Sequence, residues 1–176
     1  MKNPEEIYEL LKKEFNETIF GLDKDTPVEN IISVDPMNIH KIGAFLKDNE
    51  ELKFDSLMVL SGVDDANGTK VKDEDGTEVI TGGTLSVYYH LHSTVLKHKI
   101  TIKTSAPREN PEVESVYDVW RTSDWHEREA FDMFGIIFKN HPDLTRILMP
   151  YDWDAGYPLR KDYKNPEFYQ GMKVPY

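Results

Sequence analysis

Two rhythms of apolar residues run along the chain, one of helices and one of strands. Ile7, Leu10, Leu11 and Phe15 recur at the spacing of one helix face. Ahead of them Asn3 can cap, Pro4 takes the first helical position, and Glu6 completes an Asn-x-x-Glu box. Asn30 to Val34 reads as a short strand. Asp35-Pro36 then starts a second helix, with Ile39, Ile42, Phe45 and Leu46 turned inward, and a further strand runs from Leu57 to Val63. Asp64 to Gly83 is rich in Gly, Asp, Asn and Thr, with turn signals at Asn67-Gly68 and Asp75-Gly76, and reads as a solvent loop or small hairpin. The clearest strands are Thr84–His92 and Val95–Thr104. A two-residue loop at Ser93-Thr94 would pair Leu91 with Leu96 and Tyr89 with His98, placing both apolar sets on one face. Val113, Val116, Tyr117 and Trp120 read as a helical face. Another helix opens at Ser123 or Asp124, runs to Phe134 and stops at Gly135.

From Asn140 the periodicity ends. Pro142, Pro150, Pro158, Pro166 and Pro175 punctuate the remainder, with Tyr151, Trp153, Tyr157, Tyr163, Phe168, Tyr169 and Tyr176 between them. Thirteen of the 20 Phe, Trp and Tyr residues follow Val116, including all three Trp, which is too aromatic a stretch for a disordered tail. Such side chains gain about 1.5–3 kcal/mol each on burial. The expectation is therefore a globular part at 1–139, with a surface loop at 64–83, and an extended docking arm at 140–176.

Composition narrows the chemistry. A chain of 176 residues suits one domain, and with no cysteine it offers no thiolate for an iron–sulfur cluster, a zinc site or a redox disulfide. The net charge of −11 is uneven: residues 1–80 carry 19 acidic and 9 basic side chains, residues 81–176 carry 13 and 12. An acidic front half argues against nucleic acid or anionic lipid as partner. The charged opening Met1-Lys2-Asn3-Pro4-Glu5-Glu6 does not read as a signal peptide, so none is expected, and no apolar run approaches the roughly 20 residues that span a bilayer. The expectation is a soluble protein tied to a membrane only through partners.

Three constellations invite a functional reading. His90 and His92 share a strand face, but His98 falls on the other. His126-Glu127 opens like a zinc-protease helix, yet Ala130 stands where the second histidine belongs, and His141 has no second ligand at helical spacing. Glu127, Glu129 and Asp132 would suit paired acid–base carboxylates. Against this, Arg128 and Asp132 form an i,i+4 pair, Arg146, Arg160 and Lys161 can neutralise the remaining acids, and no nucleophile or phosphate loop accompanies them. Structural ion pairing is preferred to catalysis. The tail's Tyr and Trp residues could stack on a ring-shaped ligand such as a quinone, but read better as interface anchors.

The stretch from Trp125 to Tyr163 carries a resemblance. Glu127-Arg128-Glu129, Asp132 with Gly135-Ile136, His141-Pro142-Asp143-Leu144, Arg146-Ile147-Leu148 and Pro158-Leu159-Arg160-Lys161-Asp162 follow one another with Trp153 between them. This order resembles the signature of the C subunit of NADH-quinone oxidoreductase, the 30 kDa-subunit family of respiratory complex I. The ending from Asn165-Pro166-Glu167 to Val174-Pro175-Tyr176 is also similar. Two departures stand out: Thr145 replaces the first of two arginines, and Gly156-Tyr157-Pro158 replaces Gly-His-Pro. The resemblance implies an α+β fold, a two-layer domain of helices on a mostly antiparallel sheet, followed by the arm. It implies a non-redox structural subunit on the cytoplasmic face of the membrane, docked on the large quinone-site subunit beside the small iron–sulfur subunit. This chain would bind no cofactor, and FMN, iron–sulfur clusters and quinone would sit in partner subunits. The signature residues would lock the helix to the tail. Membrane-bound hydrogenases and ferredoxin- or deazaflavin-linked complexes, which use a similar subunit, remain an alternative. A free-standing hydrolase using Glu127, Glu129 and Asp132 is the remote one.

Overall fold

The computed structural model describes residues 1–26, 29–72 and 78–174. The turn expected at Asp75-Gly76, and Pro175 and Tyr176 of the ending, lie outside the described residues. In chain order the elements are α1 (Pro4–Phe15), β1 (Ile19–Asp23), β2 (Ile31–Val34), α2 (Ile39–Asp48), β3 (Ser56–Asp64), β4 (Thr69–Lys72), β5 (Glu78–Thr81), β6 (Thr84–His92), β7 (Lys99–Pro107), β8 (Glu112–Glu114), α3 (Ser123–Phe134), β9 (Ile137–Lys139), β10 (Phe168–Tyr169) and β11 (Met172–Lys173).

Five strands form the central sheet in the order β1-β2-β7-β6-β3. Only the β2–β7 pairing within it is parallel. The fold is α+β, as the resemblance implies. Alternation along β6 and β7 sends Leu85, Val87, Tyr89, Leu91, Ile100 and Ile102 to one face. There they meet Ile7 and Leu11 of α1 and Ile39, Ile42 and Leu46 of α2 in one core. α1 begins as its cap residues predict: the Glu6 N–H donates to the Asn3 side chain, and the Asn3 N–H donates to the Glu6 carboxylate. No helix among the described residues is long and apolar enough to cross a membrane.

The structure corrects four local expectations. The β6–β7 connection is Ser93–His98, not two residues, so Leu91 faces Ile100 and Tyr89 faces Ile102. The slip is even, so the apolar face survives it. Its cause is His98: the buried ring bonds the Leu52 carbonyl at 2.6 Å and accepts the Lys2 N–H, drawing the residue out of the ladder. Second, Asp35–Asn38 is a turn, with the Asn38 amide donating to Asp35 at 2.6 Å, and α2 starts only at Ile39. Third, Val113 to Trp120 is not a helix. Val113 sits in β8, paired in parallel with β9, and a turn then buries Trp120, whose Nε1–H donates to the Phe54 carbonyl. Val113, Val116 and Trp120 are buried as their apolarity demands, but Val113 takes its extended form from Phe138, 25 positions away. Fourth, the sheet begins with a strand that periodicity does not show, β1, whose register is broken between Ile19 and Gly21.

Candidate functional site

Part of the signature, Asp132, Gly135, Arg146 and Leu159–Asp162, comes together where α3 meets the segment after Asn140. α3 ends at Gly135 in the left-handed conformation, φ 73°, and its N–H closes the last turn on the Phe131 carbonyl. A Cβ there would lie 2.4 Å from the Tyr157 ring, so glycine serves both the cap and the approach of the arm. Tyr157 is flanked by the guanidinium groups of Arg160, 4.5 Å from its ring centre, and Arg146, at 5.8 Å. This tyrosine is one of the two departures from the resembled signature.

Three buried acids organise the contact. Asp132 has no exposed side-chain surface. Its Oδ1 accepts Arg146 at 2.7 Å, and its Oδ2 accepts the successive N–H groups of Ile147, Leu148 and Met149 at 3.0, 2.7 and 2.9 Å. Three consecutive amides aimed at one oxygen make an anion nest, which holds the carboxyl below its ordinary pKa despite burial. Asp64, at the end of β3, accepts Arg108 at 2.6 Å and the Lys161 N–H at 2.9 Å, while the other face of Arg108 pairs with Asp162. Asp162 also accepts the Ile80 N–H. Nearby, the Leu159 N–H donates to the Met133 carbonyl and Arg160 Nε to the Phe134 carbonyl at 2.7 Å.

Glu127 is the third acid. It is fully buried, and accepts Ser115 Oγ at 2.6 Å and the Val116 N–H at 2.8 Å. Burial outweighs those bonds and raises its pKa to about 7. His141, also buried and edge-on to Tyr117, lies 3.9 Å from it and 3.4 Å from Asp124, and burial lowers its pKa. The Glu127 proton is thus favoured in the fold more than in the unfolded chain. Its stabilising effect is complete below about pH 4.5 and is lost as pH rises through about 7. Glu127→Gln is expected to remove that slope and to gain about 2–3 kcal/mol over the parent at pH 8. Urea unfolding midpoints between pH 5 and 8 measure it. Asp64 and Asp132, with lowered pKa values, act in the opposite sense: their stabilisation holds above about pH 4 and fades in stronger acid.

Several sequence expectations are relocated. Arg128 does not pair with Asp132. It bonds the Thr145 carbonyl and hydroxyl and lies over the Trp125 ring, so Thr145, the other departure from the resembled signature, is its partner. Among the described residues, Lys161 contributes its backbone N–H, not its ammonium, to an acid, and the Arg160 hydrogen bond goes to a carbonyl. Glu129 is exposed, Glu127 is sealed and Asp132 is saturated with donors, so the three carboxylates share no reaction space. Pro142 and Asp143 are exposed, with the Asp143 N–H donating to His141 Nδ1. Trp153 bonds the Gly156 carbonyl and packs at a tilt against the Tyr169 ring, while Asp152 accepts the Tyr169 hydroxyl and the Gln170 amide, giving the arm's end a small fold of its own. Asp64, Arg108 and Ser115 belong to the site without any local sequence signal. Among the described residues, no three His, Asp or Glu side chains are placed to hold a metal. The arm leaves large apolar side chains outward: Leu148, Tyr151 (95% exposed), Leu159, Phe168 and Met172.

Comparison with known proteins gives the chain a family and a fold. The family model described as respiratory-chain NADH dehydrogenase, 30 Kd subunit, matches residues 32–169. The NADH-quinone oxidoreductase C subunit of Chloroherpeton thalassium is 41% identical over 98% of this chain, which spans 65% of that protein's length. Its counterpart of the same name from Chlorobium phaeobacteroides is 38% identical over 96% of this chain and 93% of its own length. Among solved structures, a trypsin-resistant fragment of Nqo5 matches 77% of this chain and 97% of the fragment, with a TM-score of 0.58 at 21% identity. A chain of the membrane-bound sulfane sulfur reductase, an archaeal respiratory membrane complex, matches 93% of this chain and 86% of its own, with a TM-score of 0.56 at 18% identity. These two likenesses are of fold.

Proposed function

Because the chain belongs to the family of the 30 kDa subunit of the respiratory-chain NADH dehydrogenase, we propose that it is a non-redox structural subunit of the peripheral arm of an NADH-quinone oxidoreductase. In this reading residues 140–176 dock on the large subunit that forms the quinone site, beside the small iron–sulfur subunit. FMN, iron–sulfur clusters and quinone are held by partners, on the cytoplasmic face of the membrane. The chain supports electron transfer and coupled proton translocation by holding geometry, without touching substrate.

One observation carries the proposal: the arm is pinned at its root by buried acids yet presents Leu148, Tyr151, Phe168 and Met172 to solvent. A segment with a fixed path and outward aromatic side chains is built to be covered. Ending the chain after Lys139 is expected to abolish co-purification with the large subunit. The triple substitution Leu148→Ser, Tyr151→Ser, Phe168→Ser, which touches only exposed positions, is expected to lower recovery at least about tenfold while leaving the thermal midpoint unchanged. Normal recovery of the partner with both variants would overturn the proposal. The equivalent subunit of a membrane-bound hydrogenase or of a ferredoxin- or deazaflavin-linked complex is the second reading, and the fold likeness to a chain of the sulfane sulfur reductase complex is compatible with it. The identity of the co-purifying large subunit separates the two, and nickel-binding cysteines in it would mark a hydrogenase.

A further inference from the structure

The central sheet has two free edges, and they differ. β1 is five residues long and its register is broken next to its exposed Phe20. Short and bulged edges resist pairing. β3 is nine residues long; past a single irregularity at Met58 its pairing with β6 runs unbroken from Val59 to Asp64. Among the described residues, the backbone of Leu57–Val63 hydrogen-bonds to β6 alone, so one side of this strand offers unpaired N–H and C=O groups.

Beside that edge lies a groove of about 330 Å³ between β3 and α3. Val59, Ser61 and Gly62 form one wall, His126, Glu129 and Phe134 the other, and Leu159 of the arm borders it. α3 packs tightly here: a Cβ on Gly62 would meet the Phe134 ring at 2.8 Å and Ala130 at 3.2 Å. Absence of a side chain at Gly62 is therefore what lets the helix pack closely over the face of this strand. The rim is apolar and exposed, with Val59 at 38% and Leu159 at 51%. His126 Nδ1 finds no hydrogen-bond partner among the described residues, and Glu129 stands exposed on the helix wall.

We propose that this groove binds an extended segment of a partner polypeptide, which adds to β3 as a sixth strand. The backbone edge selects the ligand class, since a row of alternating donors and acceptors about 17 Å long is satisfied in register only by another strand. An edge strand flanked by a helix gives such a segment two supports: main-chain bonds along β3, and side-chain contact with α3 at every second residue. The exposed Glu129 asks for a basic residue in the segment, in keeping with the chain's surplus of negative charge. Because Leu159 belongs to both surfaces, the groove is continuous with the arm's outward face. That the segment comes from the same assembly rests on the subunit role proposed above; the strand addition itself rests on β3.

The test places the photo-reactive amino acid p-benzoylphenylalanine singly at Val59, Ser61 or Tyr151 of the full chain in its native host, with a probe at Phe20 on the opposite edge as reference. After irradiation the assembly is isolated and the cross-linked peptides are sequenced. Val59 and Ser61 are expected to mark residues two apart on one partner segment, which alternation along paired strands requires. Glu129→Arg is expected to reduce both yields at least about tenfold without affecting the Tyr151 product. Marks three or four apart on a helix, on a second copy of this chain, or on lipid would overturn the inference, as would absence of product at Val59 and Ser61 while Tyr151 still cross-links. Failure at Tyr151 with success at Val59 and Ser61 would instead remove the arm-docking reading and leave strand addition standing.

Discussion

Asp132→Asn is expected to destabilise the junction between α3 and the arm by about 3–5 kcal/mol, the usual cost of breaking a buried charge pair. The substitution keeps the shape and removes only the charge. An amide oxygen still accepts from the nest of Ile147, Leu148 and Met149, but without the negative charge that makes three convergent N–H groups favourable at one atom. Its NH2 group, placed against Arg146, meets a donor with a donor. The loss should be local first. Trypsin cuts after Arg146, so cleavage there is expected to accelerate at least about a hundredfold, in step with the population of the open form. Resistance at the parental rate would show that the nest is not what holds the arm.

Arg108→Met is expected to cost a similar amount, about 3–5 kcal/mol, by a different route. Arg108 and Asp64 are both almost fully buried, and Asp162 meets the guanidinium from the other side. Methionine retains much of the stem packing but leaves Asp64 with only the Ala66 and Lys161 N–H groups. An uncompensated buried carboxylate then has two escapes: it takes up a proton, or the segment carrying Lys161 and Asp162 leaves. Both are measurable, as a rise of the acid unfolding midpoint and as earlier proteolysis after Arg160. Adding Asp64→Asn in the same chain is expected to restore at least half of the loss, since neutralising both members removes the stranded charge. Simple additivity of the two substitutions would contradict an ion-pair latch.

Legibility in the sequence follows the range of the interactions. α1 is readable because its cap residues lie within four positions of one another, and the end of α3 because one glycine decides it. The apolar faces of β6 and β7 are readable from alternation, but their register is not, since it depends on where the His98 ring is buried. β8 takes its form from β9, and nothing within Val113–Trp120 reports that. The acids show the same limit. Asp132 stands in the signature, but its expected partner Arg128, four residues away, loses to a charged nest from the arm. An exposed i,i+4 pair is worth about 0.3–0.5 kcal/mol, far less than several charge-assisted bonds to a buried oxygen. Asp64 reads as the first residue of a loop, and its partners are 44 and 97 positions away. A lone aspartate beside Asp65 carries no trace of them.

The physical claim beneath the functional reading is that the segment from Asn140 onward is held at its root and covered along its outward face. Amide hydrogen exchange of residues 140–174, compared between the free chain and the assembly isolated from its native membrane, tests this most directly. The account predicts that the amides of 147–149 and 161 are protected in both states. Those around Tyr151 and along Phe168–Lys173 should slow at least about a hundredfold only in the assembly. Equal exchange of the outward stretches in the two states would contradict it.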